Sequence, residues 1–144
     1  MLKNIPPILS PLLMKVLMEM GHGDELVIAD GNFPSESIGK QVIRCDGHGV
    51  AALLEAVLPF FPLDTYAEQS VLLMEVVAGD TVKPVIWEEY RRIIKKNDSG
   101  FQDFGFIERF AFYERARRAY AVAATSESAL YANIIVKKGV IPAS

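Results

Sequence analysis

The sequence predicts an α/β fold in which helices cover both faces of a sheet. The first observation is alternation. Short runs rich in Val, Ile and Leu alternate with stretches of about ten residues at helical spacing, the pattern of strands joined by crossover helices. The second is Glu25–Ala29, ELVIA, an almost wholly apolar run that reads as a strand buried on both sides. The third is bulk: 144 residues, 51% of them apolar, suit one domain over 1–144, given roughly 100–200 residues per domain. The chain holds no internal repeat and no low-complexity segment.

The elements follow in order. Ile5–Pro6–Pro7 is an extended lead-in, because proline pushes its predecessor out of the helical region. Ser10 then Pro11 reads as an N-cap and first helical position. Leu12, Leu13, Val16, Leu17 and Met20 recur at helical spacing, and Gly21 fits the position after the helix, where φ is often positive. Strand Glu25–Ala29 follows, then the turn Asp30–Gly31–Asn32. Ser35–Lys40 is polar and reads as loop. Gln41–Cys45 is a second strand, Asp46–Gly49 a turn and Val50–Val57 a helix ended by Pro59–Leu63. Val71–Val77 is strand-like, and Gly79–Thr81 turns the chain. Pro84 opens a helix through about Lys96, with Val85, Ile86, Tyr90, Ile93 and Ile94 on its apolar side. Arg109–Ala119 is a further helix, and Tyr120–Thr125 and Ile134–Val136 are the last strands.

Composition narrows the function. A net charge of −3 argues against nucleic acid, whose phosphates need clustered Lys and Arg. Arg115–Arg118 reads as a solvated helix face. The one cysteine, Cys45, allows no intrachain disulfide and no thiolate metal site; in its apolar run it reads as a small buried hydrophobe. The most apolar tract, Val50–Leu63, is too short and too interrupted to span a membrane. No signal-peptide pattern opens the sequence, so the cytoplasm is the expected compartment.

The chain is organised around Met20–Pro34, MGHGDELVIADGNFP. The turn before its strand presents His22 and Asp24, and the far end presents Asp30 and Asn32; with the ends only about 15–20 Å apart, these groups are expected to complete one polar pocket, within a chain or across a subunit contact. Both histidines, His22 and His48, sit in Gly-His-Gly triplets. His22, held between a helix end and a buried strand, is the better candidate for proton transfer, since an imidazole ordinarily titrates near 6.5; the plain alternative is a solvated turn residue. His48 reads as a turn residue at a helix start. Two histidines without paired thiolates leave little for a transition metal, and no metal ligand is assigned. A second polar cluster lies late in the chain. Arg109, Tyr113 and Arg117 are four apart and share a helix face. Tyr131 and Asn133 flank Ala132 before the last strand, and offer a ring for a sugar face and an amide that both donates and accepts. The competing reading packs Tyr131 in the core and pairs Arg109 with a surface glutamate.

The stretches MGHGDELVIADGNFP, RFAFYERARRA and YANIIVKKGV together resemble the D-ribose pyranase / L-fucose mutarotase family over nearly the whole chain. LKNIPPILSP and the NFP after Asp30 resemble its fucose branch. One departure is Thr125–Ser126–Glu127, where Thr-Gly-Glu is expected. The resemblance implies a three-layer α/β/α domain with a central mixed sheet, no cofactor, and a homo-oligomer built as a decamer of two pentameric rings with its site near a subunit contact. By position His22 matches the family's catalytic histidine, while Asp30, Arg109, Tyr131, Ala132 and Asn133 match its sugar-binding positions. Tyr113 is a further candidate for proton transfer. The implied reaction interconverts the anomers of L-fucose by acid–base ring opening and closure. The alternatives are pyranose–furanose interconversion of D-ribose and sugar binding without catalysis.

Overall fold

The computed structural model describes residues 1–144. Its strands are β1 Glu25–Ala29, β2 Val42–Cys45, β3 Val71–Met74, β4 Gly105–Ile107, β5 Ala121–Thr125 and β6 Ile134–Lys137. Its helices are α1 Pro11–Glu19, α2 Ser35–Ile38, α3 Val50–Val57, α4 Ile86–Asn97 and α5 Arg109–Arg118. The strands form one sheet in the order β2-β5-β1-β6-β3-β4. β2, β5 and β1 run parallel, as do β3 and β4, while β6 is antiparallel to both β1 and β3. The sheet is therefore mixed, and only β6 runs against the rest.

Side-chain alternation along β1 feeds two cores. Leu26 and Ile28 join the larger one with residues of α1, α3 and α4. Val27 and Ala29 join the smaller one with Ile38 of α2 and Phe112 and Ala116 of α5. Helices thus lie on both faces, giving the expected three layers.

Local chemistry accounts for most boundaries. Ser10 Oγ accepts the Leu13 N–H at 3.1 Å and starts α1. The positive φ expected at Gly21 falls instead at Gly23, 87°. The chain leaves α1 extended at Met20 and turns back only where the Gly23 N–H meets the Lys138 carbonyl. Ser35–Lys40 is not wholly loop: α2 is one helical turn, closed by the Gly39 N–H on the Ser35 carbonyl and anchored by buried Ile38. Val85 does not share the apolar side of α4; it precedes the helix and is 83% exposed. Arg115 is not a solvated charge either. Its guanidinium forks onto the Glu25 carboxylate at 2.7–3.0 Å and ties α5 to the start of β1.

Strand direction places the rest. β1, β3, β4 and β5 all end at one edge of the sheet, and β6, running the other way, starts there. The segments after those strands and before β6 converge on that edge, as in open α/β sheets whose ligands gather at the carboxyl ends of the strands.

Candidate active site

The carboxyl edge holds a cavity of about 240 Å³ whose lining includes Asp30, Arg109, Tyr113, Tyr131 and Asn133. It is smaller than the roughly 300–1,000 Å³ of pockets for drug-sized ligands, a scale that suits one monosaccharide. Of the larger hollows, those along Leu58–Leu63 and between Met18, Phe60 and Ile141 are more apolar than polar and lack the convergent polar groups that orient a ligand; a third, beside Asp64, Glu68 and Asp103, is lined mostly by polar residues.

Asp30 directly follows β1 and is buried, 6% exposed. Its backbone N–H donates to Asn133 Oδ1 at 2.7 Å, and its own Oδ1 accepts the Asn32 N–H at 3.0 Å. Burial pushes its carboxyl above the usual value; the N–H groups of Asn32, Phe33 and Ala132 offset part of that. Gly31 brings the turn close to the chain after β5. Its N–H donates to the Glu127 carbonyl at 2.8 Å, and a Cβ there would lie 3.1 Å from that same oxygen. The Ser126 that replaces an expected glycine is accommodated: its φ is not positive, and its hydroxyl accepts the Gly47 N–H at 2.8 Å.

Arg109 and Tyr113 reach the cavity from the first turns of α5. Glu108 caps that helix, its carboxylate accepting the Phe110 and Ala111 N–H groups. Arg109 pairs with no glutamate; its guanidinium lies 4.6 Å from the centre of the Phe110 ring. Tyr113 packs edge-on against Phe33, which also lines the cavity. Arg117 shares the face but not the site, and pairs with Glu114.

Tyr131, Ala132 and Asn133 are held from α4. Trp87 Nε1 donates to the Tyr131 carbonyl at 2.8 Å, and the fully buried Tyr90 hydroxyl donates to the Ala132 carbonyl at 2.7 Å. Burial raises the Tyr90 phenol well above its ordinary range, so it stays a donor. Tyr131 is half-buried rather than in the core, with φ 57°. Ala132 is fully buried behind the cavity.

His22 lies elsewhere. It precedes β1, so the length of the strand, about 17 Å at 3.3 Å per residue, separates its edge from that of Asp30. There its Nε2 sits 3.1 Å from Asp64 Oδ1, and its ring lies 5.4 Å from that of Tyr66. Asp64 is buried. Burial acts to raise its carboxyl, but the Tyr66 N–H and His22 outweigh this and hold it below its usual value. The imidazole side chain remains 45% exposed. Within one chain, then, His22 and Asp24 do not join Asp30 and Asn32 in a single pocket.

Sequence reasoning missed Asp64, Asp80, Met74 and Leu130, which reach these two sites only through the fold. No group of three or more His, Cys, Asp or Glu side chains is arranged to hold a metal ion, and no helix is long and apolar enough to cross a membrane.

Residues 3–141 match the model of the RbsD / FucU transport protein family. The L-fucose mutarotase of Actinobacillus pleuropneumoniae serotype 5b is 53% identical over 142 residues, 99% of each chain. The structure is similar to the fucose mutarotase of Streptococcus pneumoniae in complex with L-fucose, with a TM-score of 0.93, 49% identity, and 98% and 100% of the two chains covered. It is similar also to FucU from Bifidobacterium longum, with a TM-score of 0.94 and 57% identity over 97% and 100% of the chains.

Proposed function

The chain belongs to the RbsD / FucU transport protein family, and we propose on that basis that it is an isomerase interconverting the α and β anomers of L-fucose. The observation that carries this reading is the cavity at the carboxyl edge. It joins a buried carboxyl, a guanidinium, two phenols and an amide in a space sized for one sugar.

The chemistry asked of these groups is modest. A base takes the proton of the anomeric hydroxyl, an acid protonates the ring oxygen, and the C1–O5 bond breaks to leave a free aldehyde. Rotation about C1–C2 turns the other carbonyl face to the 5-hydroxyl. Closure reverses both transfers, so no proton is gained or lost. Positioned acid–base groups typically supply about 10²–10⁴-fold. Asp30, Arg109 and Asn133 hold the sugar hydroxyls, Tyr131 lines the pocket, and Ala132 sets the backbone between the two.

His22 and Tyr113 are the proton-transfer groups in this reading. His22 cannot reach its own chain's cavity along a strand of that length, so a neighbouring copy supplies it. That requires a homo-oligomer with head-to-tail contacts, which close into rings; two stacked pentameric rings are the assembly proposed. Exposed Met18, Phe60 and Ile141, around one hollow, are the kind of apolar surface a subunit contact covers. The free, buried Cys45 thiol suits the cytoplasm, the compartment we assign.

Exchange NMR on α- and β-L-fucose with purified protein tests the activity. Faster anomer exchange than in buffer is expected. No acceleration with L-fucose, or acceleration with D-ribose alone, contradicts it.

A further inference from the structure

Asp80 lines the cavity at the carboxyl edge, in the loop after β3. Its Oδ2 accepts the Tyr131 hydroxyl at 2.5 Å, and its Oδ1 accepts the Val82 N–H at 3.0 Å. The same loop supplies a second contact, the Val77 N–H donating to the Tyr131 oxygen at 3.3 Å. The loop is folded for this, with the Asp80 N–H on the Val77 carbonyl at 3.0 Å and Gly79 at φ 88°.

Tyr131 itself is strained. A φ of 57° is uncommon for a bulky residue and persists only where the surroundings over-determine it. Here both ends are tied: the carbonyl to Trp87 Nε1 and the phenol to Asp80. We propose that Asp80 is a positioning residue for the sugar pocket, holding the Tyr131 ring at the cavity wall with the phenolic proton turned away from the sugar. This rests on the reading of Tyr131 as a sugar-binding residue. Because an ionised carboxylate only accepts, the phenol must donate its proton to Asp80. Its oxygen then meets a sugar hydroxyl as an acceptor. Asp80 has both oxygens engaged and acts through Tyr131 rather than on the substrate.

The test is a double-mutant cycle read by fucose exchange NMR. Asp80→Ala is expected to raise KM about five- to tenfold with kcat within about twofold, and Asp80→Asn, which keeps an acceptor oxygen, to restore most of the loss. In a Tyr131→Phe background, Asp80→Ala is expected to change KM by less than about twofold. An unchanged KM in Asp80→Ala, or an equal effect in both backgrounds, overturns the proposal. A second readout needs no sugar. Trp87 is the only tryptophan, so its indole N–H gives one resonance reporting the Tyr131 carbonyl. Asp80→Ala and Tyr131→Phe should displace it alike; an unmoved resonance in Asp80→Ala also overturns the proposal. If the wild type exchanges no fucose anomers, the proposed activity fails, while the resonance still decides whether Asp80 holds Tyr131.

Discussion

Asn133 Oδ1 accepts the backbone N–H of Asp30 at 2.7 Å, joining the end of β1 to the start of β6 across 103 residues of chain. Both residues are buried. The bond therefore aligns two proposed sugar contacts and satisfies an amide that water does not reach. Asn133→Ala should leave that N–H unpaired and destabilise the protein by about 1–3 kcal/mol. Urea unfolding checks this; an unchanged midpoint contradicts it.

Asp30 should leave a pH signature in stability. Its carboxyl is raised by burial from the ordinary 3.8, so ionising it costs the folded state. That cost is absent below the ordinary value, grows as pH rises, and is complete above the raised one. Asp30→Asn removes it. The Tm of the variant relative to wild type should be more favourable at about pH 7 than at about pH 4. A pH-independent difference in thermal melts would contradict the assigned cause.

His22 should separate catalysis from folding. Its imidazole is nearly half exposed, and without it the Asp64 carboxylate still accepts the Tyr66 N–H. His22→Ala should keep its melting temperature within a few degrees while losing anomer exchange. Asp64 is the buried partner, and its carboxylate also accepts the Tyr66 N–H. Asp64→Ala should cost more stability than His22→Ala. The reverse order in parallel melts would show that the pair has been misread.

Tyr90 donates to the Ala132 carbonyl from full burial. Tyr90→Phe deletes one hydroxyl and leaves that buried carbonyl unpaired, a loss of about 1–3 kcal/mol. Sugar affinity should weaken with it, because the same segment carries Tyr131 and Asn133. A stability loss with unchanged KM would limit Tyr90 to the core.

The helices and main strands were legible where burial imposes a period. α1, α3 and α5 fall within a residue or so of their expected limits: Ser10 and Glu108 cap α1 and α5, and the apolar run from Val50 to Val57 marks α3. β4 was not legible: three residues, none buried, paired on one side only at the sheet edge. α2 was hidden because a single turn carries no period. β3 stops at Met74 rather than Val77, since the chain there leaves the sheet to form the loop that meets Tyr131. The same distinction holds for the site. Arg109 and Tyr113 could be paired from spacing on one helix. Asp80 could not be linked to Tyr131, 51 residues away, because only the order of strands brings them together. The separation of His22 from Asp30 was not legible: nearness in sequence suggested a common pocket, and only the fold shows that His22 faces Asp64 while Asp30 faces the cavity.

A pocket completed by a neighbour's histidine makes a prediction that a self-sufficient subunit does not. His22→Ala and Asp30→Asn each disable one half of the site, and co-expression in equal amounts yields mixed assemblies. About a quarter of contacts then join an intact cavity to an intact histidine, in a head-to-tail ring mixed at random. L-Fucose anomer exchange by NMR should recover to about a quarter of the wild-type rate in that mixture, with each variant alone near buffer. A mixture no faster than its separate components would contradict a site shared between copies.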